Sequence, residues 1–145
     1  METSSIIIGG IVPAVCLGLG TVLMRASIDA GASIPAYLAV VGTTVASAGW
    51  GAILLGKGSM IGLKPAVLAS LMGLTWSAAI SCIAYGFGTL KLPVSVVAPL
   101  TNSNALVAVL VGAIAFSEWK ALNMTSVAIG TALICTGATV ISLSR

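Results

Sequence analysis

Five apolar runs, at 6–24, 35–55, 66–88, 96–116 and 126–143, contain none of the chain's six basic and three acidic residues. Each run is close to the roughly 20 residues a helix needs to cross the hydrocarbon of a bilayer. Lipid offers no water to backbone N–H and C=O groups, so a lone strand is excluded and helices are required. The expected fold is an all-α integral membrane protein, a bundle of five transmembrane helices. The runs fill most of the 145 residues, so residues 1–145 are expected to form a single transmembrane domain. Their connections carry ordinary turn residues: Gly31 and Pro35, then Gly56, Gly58, Gly62 and Pro65, then Pro93.

Composition narrows the function classes. Only 6% of residues are charged and 59% are hydrophobic, whereas soluble domains carry about 25% charged residues. A net charge of +3 could suit a nucleic acid, but the cations are single residues in short loops without aromatic interleaving, so no nucleic-acid partner is expected. The expected surroundings are membrane lipid, in the cell membrane, with the chain crossing several times. Residues 1–5 hold Glu2 and no basic residue, which is not how a signal peptide starts. Cys16, Cys82 and Cys135 fall one each in the first, third and fifth runs, and the chain has no His. That pattern gives neither a disulfide framework nor a metal site, and no cofactor is expected. With no acid–base pair either, an enzyme ranks last.

Orientation in the membrane normally follows an excess of Lys and Arg on the cytoplasmic side. Here Arg25, Lys91 and Arg145 fall on one side, and Lys57, Lys64 and Lys120 on the other. An odd number of spans with balanced flanks suggests insertion both ways round and pairing as an antiparallel homodimer. The acidic residues Glu2, Asp29 and Glu118 all lie at or beyond span ends, so no carboxylate is placed at depth to exchange a proton for a cationic substrate. Asp29 is spaced to pair with Arg25 at i,i+4.

Small and polar residues collect on helix faces. In the third run Ser70, Gly73, Ser77, Ser81, Ala84 and Gly88 recur at three- and four-residue steps. In the fourth, Thr101, Asn104, Ala105, Ala108, Gly112 and Ala115 do the same, and Gly130 and Gly137 stack seven apart in the fifth. Such stripes allow close packing of helices in lipid. More demanding is Thr101-Asn102-Ser103-Asn104, four consecutive hydrogen-bonding side chains just after Pro99. Successive helical positions turn by about 100°, so the four cannot share one neighbour. They either line a wet cavity or hold neighbouring helices together, and broken helices near the midplane often mark transporter sites. Trp76, near the middle of the third run, must also place its indole N–H, by cavity lining or by packing. Tyr37 and Trp119, near span ends, suit the interfacial aromatic belt.

Several stretches resemble a known family. Ala84-Tyr85, Pro93-Val94-Ser95-Val96-Val97-Ala98-Pro99-Leu100, Gly112-Ala113-Ile114-Ala115-Phe116-Ser117-Glu118 and Gly130-Thr131-Ala132-Leu133-Ile134 are similar to the EamA-type repeat of the drug/metabolite transporter superfamily. The likeness is most specific over about 79–140, and Ser117 stands where the family usually has Gly. Family members typically carry two five-span repeats in opposite orientation around a central cavity. One repeat implies that two inverted copies rebuild the ten-helix unit. The resemblance further implies cavity lining by the first, third and fourth helices, which would bring Thr21, Trp76, Ser77, Tyr85, Asn102 and Asn104 toward substrate. Thr101 joins them through the polar run. Leu19-Gly20-Thr21-Val22-Leu23-Met24-Arg25 also looks like the end of the first helix of the small multidrug resistance proteins. Their embedded glutamate would fall near Leu17, where there is no carboxylate. Their last helix dimerises through glycines seven apart, which assigns Gly130 and Gly137 to a dimer seam.

The expected function is a small transporter moving a small polar or amphipathic metabolite or drug by alternating access as a dimer. The alternatives are a non-transporting membrane subunit and a half-transporter that needs a different partner chain.

Overall fold

A computed structural model describes residues 3–117 and 123–143, so Glu2, Glu118, Trp119, Lys120 and Arg145 lie outside the described residues. All regular structure among the described residues is helical. Four helical segments are long and apolar enough to cross a membrane: Ile7–Asp29, Ile34–Leu54, Leu63–Gly88 and Val94–Ala115. A fifth apolar stretch, Thr125–Ile141, is shorter. This is a helical membrane protein. Its chain divides into two compact units, Met1–Lys91 and Leu92–Arg145.

The first unit holds α1 (Thr3–Ile6), a π-helical turn at Ile7–Ile11, α2 (Val12–Asp29), α3 (Ile34–Leu54) and α4 (Leu63–Gly88). The wide turn has a local cause. Pro13 has no N–H to offer, and the backbone donor of Val12 reaches five residues back, to Ile7 O. The apolar run ends at Met24, but the helix continues to Asp29. Arg25 and Asp29 sit one turn apart and close an ion pair of 2.7 Å, which keeps this polar turn helical.

Both hairpins close in the same way. Gly31 N–H donates to Ile28 O and Ala32 N–H to Ser27 O, and Gly56 and Lys57 repeat the pattern on Ile53 and Ala52. These bonds satisfy the last carbonyls of α2 and α3, and they require left-handed backbone at Gly31 (φ 98°) and Gly56 (φ 71°). Ser33 then caps α3, accepting from Ala36 N–H at 3.4 Å, with Pro35 inside the first turn. α4 packs on both α2 and α3. Its small stripe is the packed side: Gly73, Ser77, Ser81 and Gly88 are half-buried and Ala84 is fully buried. The C-terminal ends of α2 and α4 lie together, so these two helices run the same way with α3 reversed. Lys57 and Lys64 flank the turn between α3 and α4, and Arg25 and Lys91 belong to the opposite end of this unit.

The second unit holds α5 (Val94–Thr101), α6 (Asn104–Ala115) and α7 (Met124–Ser142). α7 lies chiefly along α5 and also meets α6. Asn123 caps α7, accepting from Ser126 N–H at 3.3 Å. The fourth apolar run is thus two helices, with Asn102 and Ser103 between them.

Candidate functional site

The break lies close to the middle of its span. Val94–Ala115 has 22 residues, and its centre falls between Asn104 and Ala105. Pro99 sits inside α5 and has no donor for the carbonyl one turn back. Beyond it the backbone tightens: Ser103 N–H donates to Leu100 O, Ala105 N–H to Asn102 O and Leu106 N–H to Ser103 O, each three residues back instead of four.

Four polar side chains meet this break and are treated differently. Thr101, half-buried, donates its hydroxyl to Ala98 O at 3.0 Å. Ser103 is half-buried, while Asn102 and Asn104 are exposed. Among the described residues neither carboxamide makes a hydrogen bond. An amide without a partner in hydrocarbon costs several kcal/mol, so water, a ligand or another helix must meet these groups at that depth.

In the first unit Trp76 and Ser77 come together. With Leu38, Gly42, Val45 and Gly73 they line a groove of about 310 Å³ between α3 and α4. Ser77 donates to Gly73 O at 2.8 Å, Ser81 to Ser77 O at 2.8 Å and Ser70 to Ala66 O at 2.9 Å. These hydroxyls are satisfied by their own helix; Ser77 and Ser81 lie half-buried on its packed side, whereas Ser70 is exposed. Thr21, on α2, likewise donates to Leu17 O at 3.0 Å and does not line the groove. Tyr85 is exposed and nine residues beyond Trp76, about half a turn round the helix, so it faces the other way. The groove is therefore built by the second and third apolar runs of the chain, whereas the resemblance implied a cavity lined by the first, third and fourth.

On α7, Gly130 and Gly137 are exposed, and a Cβ at either would meet no atom within 4 Å. The face they share is open. On another side of α7, Val127 and Thr131 join Leu106, Val109 and Leu110 around an apolar groove of about 250 Å³ between α6 and α7.

Sequence reasoning missed one contact. Arg25 Nη1 donates to Phe87 O at 3.4 Å, and its guanidinium lies 5.6 Å from the centre of the Phe87 ring. Phe87 is fully buried. A cation beside the last turn of α4 meets the negative end of that helix, so Arg25 fastens α4 to α2 as well as marking an interface. Its partner is 62 residues away, and only the pairing with Asp29 could be read locally.

Cys16, Cys82 and Cys135 are free thiols. Among the described residues no group of His, Cys, Asp or Glu could hold a metal ion. Set against known protein families, curated proteins and solved structures, the chain matches none.

Proposed function

We propose that the chain is a small multi-pass transporter of the cell membrane, working as a pair of inverted copies that carry a small polar or amphipathic metabolite or drug by alternating access. The observation that carries this reading is the mid-span break with the unbonded Asn102 and Asn104 carboxamides. A broken helix at mid-depth is the usual setting of a transporter binding site. Asn102, with Thr101 beside it, supplies neutral hydrogen-bonding groups to the solute. With no carboxylate inside any apolar run, facilitated diffusion or exchange fits better than proton antiport.

In this reading each chain is one EamA-type repeat with five spans in a single membrane domain. α7 has 19 residues, about 28 Å at 1.5 Å per residue, close to the hydrocarbon thickness. Ser117, where the resembled repeat usually has Gly, takes φ 55°, the backbone conformation that glycine adopts most easily. The open Gly130–Gly137 face of α7 serves as a packing seam of the pair.

Proteoliposomes containing the purified chain test this with isotope-labelled amino acids, sugars and nucleosides. At least one label is expected to enter faster than into protein-free vesicles. That uptake should fall about tenfold or more in Asn102→Leu, the loss of one hydrogen bond of about 1.5 kcal/mol, while the variant still elutes as the native particle. Unchanged uptake in Asn102→Leu would remove the site. The same open α7 face also suits a non-transporting subunit or a half-transporter bound to another chain. Co-purification of a second chain in fixed stoichiometry, with no uptake by this chain alone, would favour that reading.

A further inference from the structure

The two hairpin turns of the first unit are unlike. The turn between α2 and α3 is Ala30-Gly31-Ala32-Ser33, short and without a large side chain. Arg25 at that end is already held by Asp29 and by Phe87 O. Between α3 and α4, residues 55–62 form an irregular loop. Leu54, Leu55, Met60, Ile61 and Leu63 stand on and beside it, with exposures from 58% to 86%. Lys57 and Lys64 are set among them and are exposed too.

Neither lysine is neutralised within the described residues. The ion pair found there joins Arg25 to Asp29, and no carboxylate occurs between Asp29 and Glu118 in the sequence. The Lys57 N–H closes the end of α3 on Ala52 O, but its ammonium makes no bond. Lys64 stands in the first turn of α4, the positive end of that helix, which repels a cation. A loop joining two spanning helices lies at the level of the lipid headgroups. There, apolar side chains reach the edge of the acyl chains while lysines stay with the phosphates. Inorganic phosphate would meet only the lysines, and a lipid of no net charge would leave both ammoniums unneutralised. An anionic phospholipid satisfies both kinds of side chain at once.

We propose that the loop between α3 and α4 is a docking surface for anionic phospholipid, with Lys57 and Lys64 taking headgroup phosphates and Met60, Ile61 and Leu63 lying against the acyl chains. This holds whether or not the chain transports or pairs, since it uses the first unit alone. The lipid gives this end of the hairpin the counter-charge that Asp29 gives the other.

Trp50 is a local reporter, exposed and one turn before Leu54 on α3. Trp76→Phe and Trp119→Phe leave it the one tryptophan of the chain. The full chain is placed in vesicles of equal parts phosphatidylglycerol and phosphatidylcholine, with quenching bromines on the acyl chains of one lipid or the other. Trp50 is expected to report phosphatidylglycerol enriched about fivefold, near the attraction of one lysine to an anionic surface. Lys57→Gln with Lys64→Gln should erase the enrichment, and Lys91→Gln, at the opposite end, should leave it. Equal quenching by the two lipids in the parent chain would overturn the proposal, as would enrichment that survives the double variant. An equal loss in Lys91→Gln would overturn it too, because the effect would then be one of net charge. Inorganic phosphate that erases the enrichment, where chloride of equal ionic strength does not, would assign the lysines to a soluble anion and overturn the lipid. With all three tryptophans in place, the wild-type chain should hold a larger fraction of spin-labelled phosphatidylglycerol than of spin-labelled phosphatidylcholine. Equal fractions there also overturn the docking surface.

Discussion

The two units treat polar side chains in opposite ways. In Met1–Lys91, Thr21, Thr43, Thr44, Ser70, Thr75, Ser77 and Ser81 all donate to carbonyls on their own helices, and Arg25 pairs with Asp29. In Leu92–Arg145 Thr101, Thr131, Thr136 and Thr139 do the same, but the carboxamides of Asn102 and Asn104 are left without partners among the described residues. The difference is one of reach and capacity. A hydroxyl has one proton and sits close enough to the carbonyl one turn back to place it there. A carboxamide has two donors and an acceptor that the same turn cannot satisfy together. Hydroxyl-bearing residues can therefore stand almost anywhere on a lipid-facing helix, whereas an asparagine at mid-depth demands something outside its own helix. The first unit behaves as scaffold, and the second holds the groups that need company.

The largest effect should come from breaking the scaffold's tie. Phe87 is fully buried, and both its carbonyl and its ring face Arg25. Phe87→Ala removes a packed ring and is expected to lower stability by about 3 kcal/mol, chiefly through the cavity left behind. Arg25→Leu removes the weak bond to Phe87 O, the ring contact and the Asp29 pair among its contacts, and should cost about 1 kcal/mol. Unfolding curves in mixed micelles would measure both. Equal stability of Phe87→Ala and wild type would show that the first unit is not held at this end, and the contrast between the units would lose its basis.

A smaller effect, with divided sign, is expected at the break. Pro99→Ala restores an N–H one turn beyond Ser95 and removes the ring from the helix interior. Stability should rise by about 1–2 kcal/mol, less than the full proline penalty because the tight turn at Asn102–Ser103 persists. Uptake by the same variant should fall, since a bond closed to the Ser95 carbonyl straightens α5 and shifts Asn102 at its end. A variant that is more stable and transports as fast as wild type would show that the break is a packing accommodation.

Much of this contrast could be read from the residues themselves. Apolar runs free of charge dictate helices, Gly31 and Gly56 mark the turns that need left-handed backbone, and four polar residues after Pro99 mark the interruption. What could not be read were the faces. Lipid, a neighbouring helix and a second copy all accept Leu, Val and Ile, so apolar residues in a membrane helix do not announce which side is packed. That is why the α3–α4 groove around Trp76 could not be read from the residues alone. The Arg25–Phe87 contact was hidden for a related reason, because it joins residues far apart in sequence whose local surroundings give no sign of each other.

The smallest effect compares the turns of the two units directly. Gly31 closes α2 at φ 98°, while Ser117 follows α6 with φ 55°. A side chain in left-handed backbone costs about 1–2 kcal/mol relative to its preferred region, and glycine avoids most of this. Gly31→Ala should therefore destabilise by about 1 kcal/mol, and Ser117→Gly should stabilise by somewhat less, because glycine also gains freedom in the unfolded chain. Opposite shifts of the unfolding midpoint are the expected result. The sign at Ser117 is the informative one: a loss of stability in Ser117→Gly would mean that the hydroxyl holds this turn through a bond of its own.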